Sequence, residues 1–249
     1  MKVVLFCGGL GTRLREHSET IPKPLATIGP RPIIWNLMRY YAHFGHKEFL
    51  LCLGYRGEMI REFFANDQER PSDWTLHFVE TGQDATIADR LCAVEPFLRD
   101  DECFLANYSD GLTDLPLPRY LDAFRASDAV AGFVAVHNPH SFHIVSVDEG
   151  GSVTALTRAQ DADVWINAGF FVFRPAIFEY IRSGDELVEQ PFRRLIDAGR
   201  LYSYKYRGFW VALDTYKDKV NLDRRHDRGD TPWEVWKNDG PCLSYRSAR

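Results

Sequence analysis

Lys2-Val3-Val4-Leu5-Phe6-Cys7-Gly8-Gly9-Leu10-Gly11-Thr12-Arg13-Leu14, followed by Pro22-Lys23-Pro24, is the stretch on which the fold of this chain turns. A short apolar run reads as a buried strand and feeds directly into three glycines within four positions. Glycine lets a backbone bend sharply and lets its N–H groups approach an anion closely. Arg13 and Lys23 add positive charge with no carboxylate beside either in the chain. A loop of this kind at a strand end suits a nucleoside triphosphate. The spacing excludes two commoner phosphate loops. A dinucleotide fingerprint begun at Gly9 meets Leu14 where its third glycine belongs, and no glycine precedes the Lys-Ser or Lys-Thr of a P-loop.

Beyond this loop, apolar runs alternate with amphipathic segments, the trace of a mainly parallel or mixed sheet flanked by helices in an α/β, Rossmann-like fold. Strands are expected near 2–7, 48–53, 75–80 and 102–107, and helices near 32–45, 57–65, 85–98 and 116–126. In the first helix Ile33, Leu37, Tyr40, Tyr41 and Phe44 share one face, and Gly45 ends it. From about residue 129 the texture becomes strand-rich: 129–136, 142–148, 152–158, 165–174, 201–207 and 209–213. Short helices are expected at 175–181 and 190–198, with a closing helix at 214–225. No Gly-, Pro- or Ser-rich linker and no repeat divides the chain. The expectation is one domain over 1–237, with a nucleotide-binding half (1–128) and an acceptor-binding half (129–237), and then a tail at 238–249.

The 249 residues suffice for a full core. No apolar run approaches a membrane span, and no signal pattern opens the chain. Five scattered cysteines (7, 52, 92, 103, 242) without a C-x-x-C pair fit reduced thiols in a cytoplasmic protein. A net charge of −5 argues against coating nucleic acid. Residues 1–47 nevertheless carry seven Lys/Arg against two acids, a basic segment suited to a small polyanion.

Nucleotidyl transfer needs the triphosphate's charge neutralised, usually by Mg²⁺ on one or two carboxylates. Asp110, in Asn107-Tyr108-Ser109-Asp110-Gly111, follows one expected strand; Asp214, in Leu213-Asp214-Thr215, follows another and precedes a helix. Ligands in open α/β sheets gather at the carboxyl ends of strands, so both acids are expected on the rim of the glycine loop. Other uses exist for each: a turn for Asp110-Gly111 and a helix N-cap for Asp214.

Taken together, Gly8–Leu14, Lys23-Pro24, Gly54-Tyr55-Arg56-Gly57, Thr81-Gly82, Arg90-Leu91, Ser109-Asp110-Gly111, Ile166-Asn167-Ala168-Gly169 and Phe209-Trp210 through Asp214-Thr215 resemble the sugar-1-phosphate nucleotidyltransferases. Within that family the chain is most similar to the glucose-1-phosphate cytidylyltransferases. The resemblance implies that Gly8, Gly9, Gly11 and Thr12 wrap the nucleotide, that Arg13 binds the departing pyrophosphate, and that Lys23 binds the α-phosphate. It implies Mg²⁺ on Asp110 and Asp214, and a pyrimidine base near Thr81 and Arg90, the segment that points to CTP. It places the acceptor near His143, Arg158, Asn167 and Gly169, and it implies a homo-oligomer. Three departures stand out. The family's Glu-Lys-Pro is here Thr157-Arg158-Ala159, a glycine beneath the sugar is His143, and a glycine of the metal turn is Ser109. The first two concern the acceptor, and an imidazole at 143 is expected to intrude on a glucose site.

The chemistry so implied is in-line attack of an acceptor phosphate on the α-phosphorus with loss of pyrophosphate. A phosphate monoester is already ionised at neutral pH, so no general base is required. The alternatives are the same chemistry with dTTP or UTP, an acceptor other than glucose 1-phosphate, or a non-catalytic nucleotide-sugar-binding regulator.

Overall fold

The computed structural model describes residues 1–9, 21–137, 142–159 and 161–237. The first strand, β1 (Lys2–Phe6), is flanked on both sides by parallel partners, β4 (Glu48–Leu53) and β6 (Phe104–Tyr108). Alternation along it sorts the core. Val3 and Leu5 point to one side with Phe49, Leu51 and Leu105, whereas Val4 and Phe6 point to the other with Leu50, Phe104 and Ala106. Both faces are apolar, so both must be covered, and helices do it. Helices α1 (Ile33–His43), α2 (Gly57–Asn66) and α4 (Leu117–Arg125) pack on the first face; α3 (Ile87–Ala93) and α5 (Gln190–Asp197) pack on the second.

With β5 (Thr75–Glu80), β8 (Ala131–His137), β11 (Trp165–Asn167) and β12 (Phe171–Phe173), the main sheet runs β11-β8-β12-β6-β1-β4-β5, and β13 (Leu201–Tyr206) pairs with β8. It is mixed: β4, β5, β6 and β1 run parallel, as do β8 and β13, while β12 is antiparallel to both neighbours. This is the mixed, helix-flanked sheet expected from the sequence.

Three expectations need correction. The strand read over 165–174 is two strands, because Gly169 (φ 75°) and Phe170 (φ 49°) both take left-handed backbone. The helix read over 85–98 is an α-helix capped by Thr86, then a separate 3₁₀ turn at Glu95–Phe97 around Pro96. The strand read over 209–213, β14 (Trp210–Ala212), lies outside the main sheet and pairs antiparallel with β7 (Gly111–Thr113), a short strand that periodicity had not suggested.

A smaller cluster of Ala26, Ile28, Ile33, Leu112, Leu213, Leu222 and Trp233 fills the space beneath that pair. It joins the hairpin β2 (Thr27–Ile28) and β3 (Arg31–Pro32) to the closing helix α6 (Tyr216–Asp227). Gly29 turns the hairpin at φ 58°, and a β-carbon there would collide with the His226 ring of α6. This satellite core is what holds the second acid of the site in place.

Candidate active site

A cavity of about 480 Å³ opens at the carboxyl end of β1. Gly9, Lys23, Asp110 and Asp214 line one part of it; Asn167, Ala168 and Trp210 line another. Asp110 reaches it directly, two residues past the end of β6, where the Ser109 hydroxyl donates to the Phe6 carbonyl at 2.9 Å and ties the acid's turn to β1. The serine that replaces the family's glycine therefore has a structural use.

Asp214 arrives by a different route. In the β7–β14 ladder Ala212 opposes Gly111, and the Leu213 N–H donates to the Asp110 carbonyl at 2.9 Å. The register thus brings residues 110 and 214 side by side from opposite ends of the sequence. Nor is Asp214 the cap of α6. Thr215 takes that role in a capping box with Asp218, each accepting the other's backbone N–H.

Lys23 opens a 3₁₀ turn, Lys23–Leu25, whose second residue, Pro24, has a ring-fixed φ that stiffens it. Its Nζ donates to Asp110 Oδ2 at 2.5 Å and to Asp214 Oδ1 at 2.9 Å. The lysine that has no acidic neighbour in the chain is therefore flanked by two acids in space. Burial pulls its pKa down, and the two carboxylates outweigh that, so the net shift is upward and Lys23 stays charged. Two carboxylates converging on one cation are a donor set that fits Mg²⁺, an ion that binds through one or two carboxylates plus substrate phosphates. No group of three or more metal-ligating side chains exists among the described residues, so substrate oxygens and water would have to complete the shell. One lysine against two carboxylates leaves this floor with a charge of −1, which would repel a triphosphate; a divalent cation reverses the sign.

The two glycines described in the loop do different things. A β-carbon at Gly8 would fall inside the Arg90 guanidinium, whereas one at Gly9 would meet nothing within 4 Å. Gly8 is required by packing; Gly9 keeps the cavity wall low. Arg90 is 2% exposed, and its side chain bonds to backbone and to Thr81 beneath the loop. Gly11, Thr12 and Arg13 lie outside the described residues, as does the 238–249 tail.

Asn167 lines the cavity, with Oδ1 accepting the Gly169 N–H at 2.8 Å. His143 and Arg158 do not line it. They face each other across the hairpin β9 (His143–Val147) and β10 (Val153–Arg158), every residue of which is exposed. Arg158 Nε donates to Asp161 at 2.6 Å, and the expected intrusion of the 143 imidazole into the cavity is not seen. The reason is topological: β9 and β10 form their own two-stranded sheet away from the main one.

Sequence reasoning missed Asn107 and the role of Trp210. Asn107 is 1% exposed, accepts the Phe170 N–H at 3.0 Å and donates to Tyr41 Oη at 3.2 Å, which sustains the left-handed break beside the cavity. A polar residue inside the apolar Phe104–Tyr108 run was the available signal. Trp210 stands on the cavity wall, its Nε1–H donating to the Ala168 carbonyl at 3.1 Å.

A glycine loop at the end of a central parallel strand, with a cation and two acids converging on one cavity, defines a nucleotide-handling α/β protein. The chain belongs to the nucleotidyl transferase family, whose model matches residues 2–223, and is an enzyme of that class. It is 34% identical over 256 aligned residues to the probable glucose-1-phosphate cytidylyltransferase of Bacillus subtilis (strain 168), covering 95% of this chain and all of that one. It is 33% identical to the glucose-1-phosphate cytidylyltransferase of Salmonella typhi, with the same coverage. Among solved structures, HddC from Yersinia pseudotuberculosis superposes with a TM-score of 0.71 at 18% identity, over 90% of this chain and 99% of that one, a likeness of fold. No described helix is long and apolar enough to cross a membrane.

Proposed function

We propose that the protein transfers a nucleotidyl group, with CTP the favoured donor, to a sugar 1-phosphate and releases pyrophosphate in a Mg²⁺-dependent reaction. The observation that carries this reading is the convergence of Lys23, Asp110 and Asp214 on the cavity at the end of β1. Asp110 and Asp214 would hold the metal, whose positive charge would offset that of the triphosphate. Lys23 leaves the carboxylates for the α-phosphate and opposes charge building on it in the transition state. The Gly8-Gly9 turn lies against the nucleotide, and Arg13 takes the departing pyrophosphate. The acceptor's phosphate attacks as the dianion, so the chain supplies position and charge and no proton shuttle.

The preference for CTP is supported by two relatives named as cytidylyltransferases. The acceptor side is supported by Asn167 and Trp210 on the cavity wall, and it does not depend on His143. A cytoplasmic homo-oligomer completes the reading. The β9–β10 hairpin exposes Val145, Val147, Val153 and Leu156 by 50–64%, an apolar surface that assembly would cover. The test is a pyrophosphate-release screen with Mg²⁺, the four ribonucleotides and dTTP against a panel of sugar 1-phosphates. Release with CTP and at least one sugar 1-phosphate, absent without metal, is expected. Failure of every pair overturns the assignment.

A further inference from the structure

Arg90 sits where three loops of the nucleotide half meet. Its Nη1 donates to the Leu53 carbonyl at 3.3 Å and to Thr81 Oγ1 at 2.5 Å; its Nη2 donates to the carbonyls of Gly8 and Gln83, each at 3.1 Å. A guanidinium has four terminal hydrogens. All four are accounted for inside the protein. The acceptors are equally engaged. The Gly8 carbonyl also accepts the Tyr55 N–H, and Thr81 Oγ1 donates in turn to the Leu53 carbonyl at 2.6 Å. The loops themselves close on one another, since a β-carbon at Gly54 would lie 2.7 Å from the Gly8 carbonyl and 2.8 Å from that of Gly82. No carboxylate pairs with Arg90 among the described residues.

We propose that Arg90 is a positioning residue: its fork fixes the Gly8, Leu53 and Thr81–Gln83 loops as one unit that receives the triphosphate, and it reads no edge of the base. This rests on the nucleotidyl-transfer reading and departs from the role that family resemblance assigns to this position. A cytosine presents ring nitrogen and carbonyl acceptors to a reading arginine, and Arg90 has no terminal N–H left to donate to them. What it controls is where the Gly8 and Thr81 backbones lie, a property common to every nucleotide. The planar fork is the essential part, because one ammonium on a flexible stem cannot span four acceptors in a plane.

The experiment is steady-state pyrophosphate release with CTP, UTP and dTTP, on Arg90→Lys, Arg90→Gln, Thr81→Val and Gly8→Ala, each checked for folding by circular dichroism. In both Arg90 variants KM for every accepted triphosphate should rise tenfold or more, by a common factor within threefold, with the acceptor KM unchanged. Lysine should rescue no better than glutamine. Thr81→Val, which removes one anchor of four, should show a smaller rise of the same pattern. Gly8→Ala, which displaces the guanidinium from the other side, should match the Arg90 variants. A rise confined to CTP, with loss of discrimination against UTP, overturns the proposal, and so does an unchanged nucleotide KM with only a lowered melting temperature. Should the Arg90 variants not fold, the Thr81 and Gly8 variants decide it on the same criteria. If the native protein releases no pyrophosphate at all, nucleotidyl transfer itself fails. Calorimetric titration of CTP and UTP into the same variants then decides the role of Arg90 separately.

Discussion

Replacing Lys23 by glutamine should tighten divalent-metal binding while nearly abolishing turnover. The lysine ammonium occupies the position between Asp110 and Asp214 that a metal needs, so the two cations compete for the same oxygens. Its bond to Asp110, whose side chain is 19% exposed, is shielded and contributes about 1.5–3 kcal/mol. Its bond to Asp214, at 38% exposure, is screened and contributes about 0.5–1 kcal/mol. A metal entering the native site must therefore displace about 2–4 kcal/mol of existing contacts. At 1.4 kcal/mol per decade the lower figure is about thirtyfold in affinity. Some is recovered when the freed ammonium is hydrated, so the expected tightening is at least about tenfold. Titrating Mn²⁺ into nucleotide-free protein and following free Mn²⁺ by electron paramagnetic resonance measures it directly. With CTP present the difference should narrow, because the native lysine then has a phosphate to move to. Turnover of the variant should fall by about 10²–10³. A Mn²⁺ affinity within twofold of native refutes the competition.

Asp110→Asn and Asp214→Asn should each reduce pyrophosphate release about a hundredfold or more while leaving the melting temperature within a few degrees, checked by calorimetry alongside the kinetics. His143→Gly should leave the acceptor KM within about twofold of native, since His143 lies on the exposed β9 strand; an acceptor KM lowered tenfold would place the imidazole in the sugar's path after all. His46 is half-buried beside the N-terminal ammonium, 3.3 Å from its Nδ1. Burial first, then the N-terminal charge and Arg125, push its pKa down to about 4. The fold favours the neutral ring, so the unfolded chain binds the extra proton. The stabilisation is complete above about 6.5 and is lost as pH falls toward 4, by about 1–2 kcal/mol once solvent screening is allowed for. Urea midpoints of native and His46→Gln protein across that interval should converge as the pH falls; parallel curves would contradict this.

Local patterning was enough to read much of the molecule. The apolar runs at 2–6 and 48–53 became adjacent parallel strands because each buries both faces, and one-dimensional hydrophobicity records that directly, while 75–80 joined them as a partly buried edge strand. Gly8, Gly9, Lys23 and Asp110 stood out because backbone freedom, charge and strand ends are properties of short segments. The break at Gly169-Phe170 could not be read that way, since it depends on Asn107, some sixty residues earlier, receiving the Phe170 N–H. The pairing of Asp214 with Asp110 follows from the register of β7 against β14, two three-residue strands too short to show a period. The fates of Lys23 and Arg90 were likewise beyond reach of the linear chain. One acquired two acids and the other four internal acceptors, and such contacts arise only when distant segments fold together and a buried charge must find its partners.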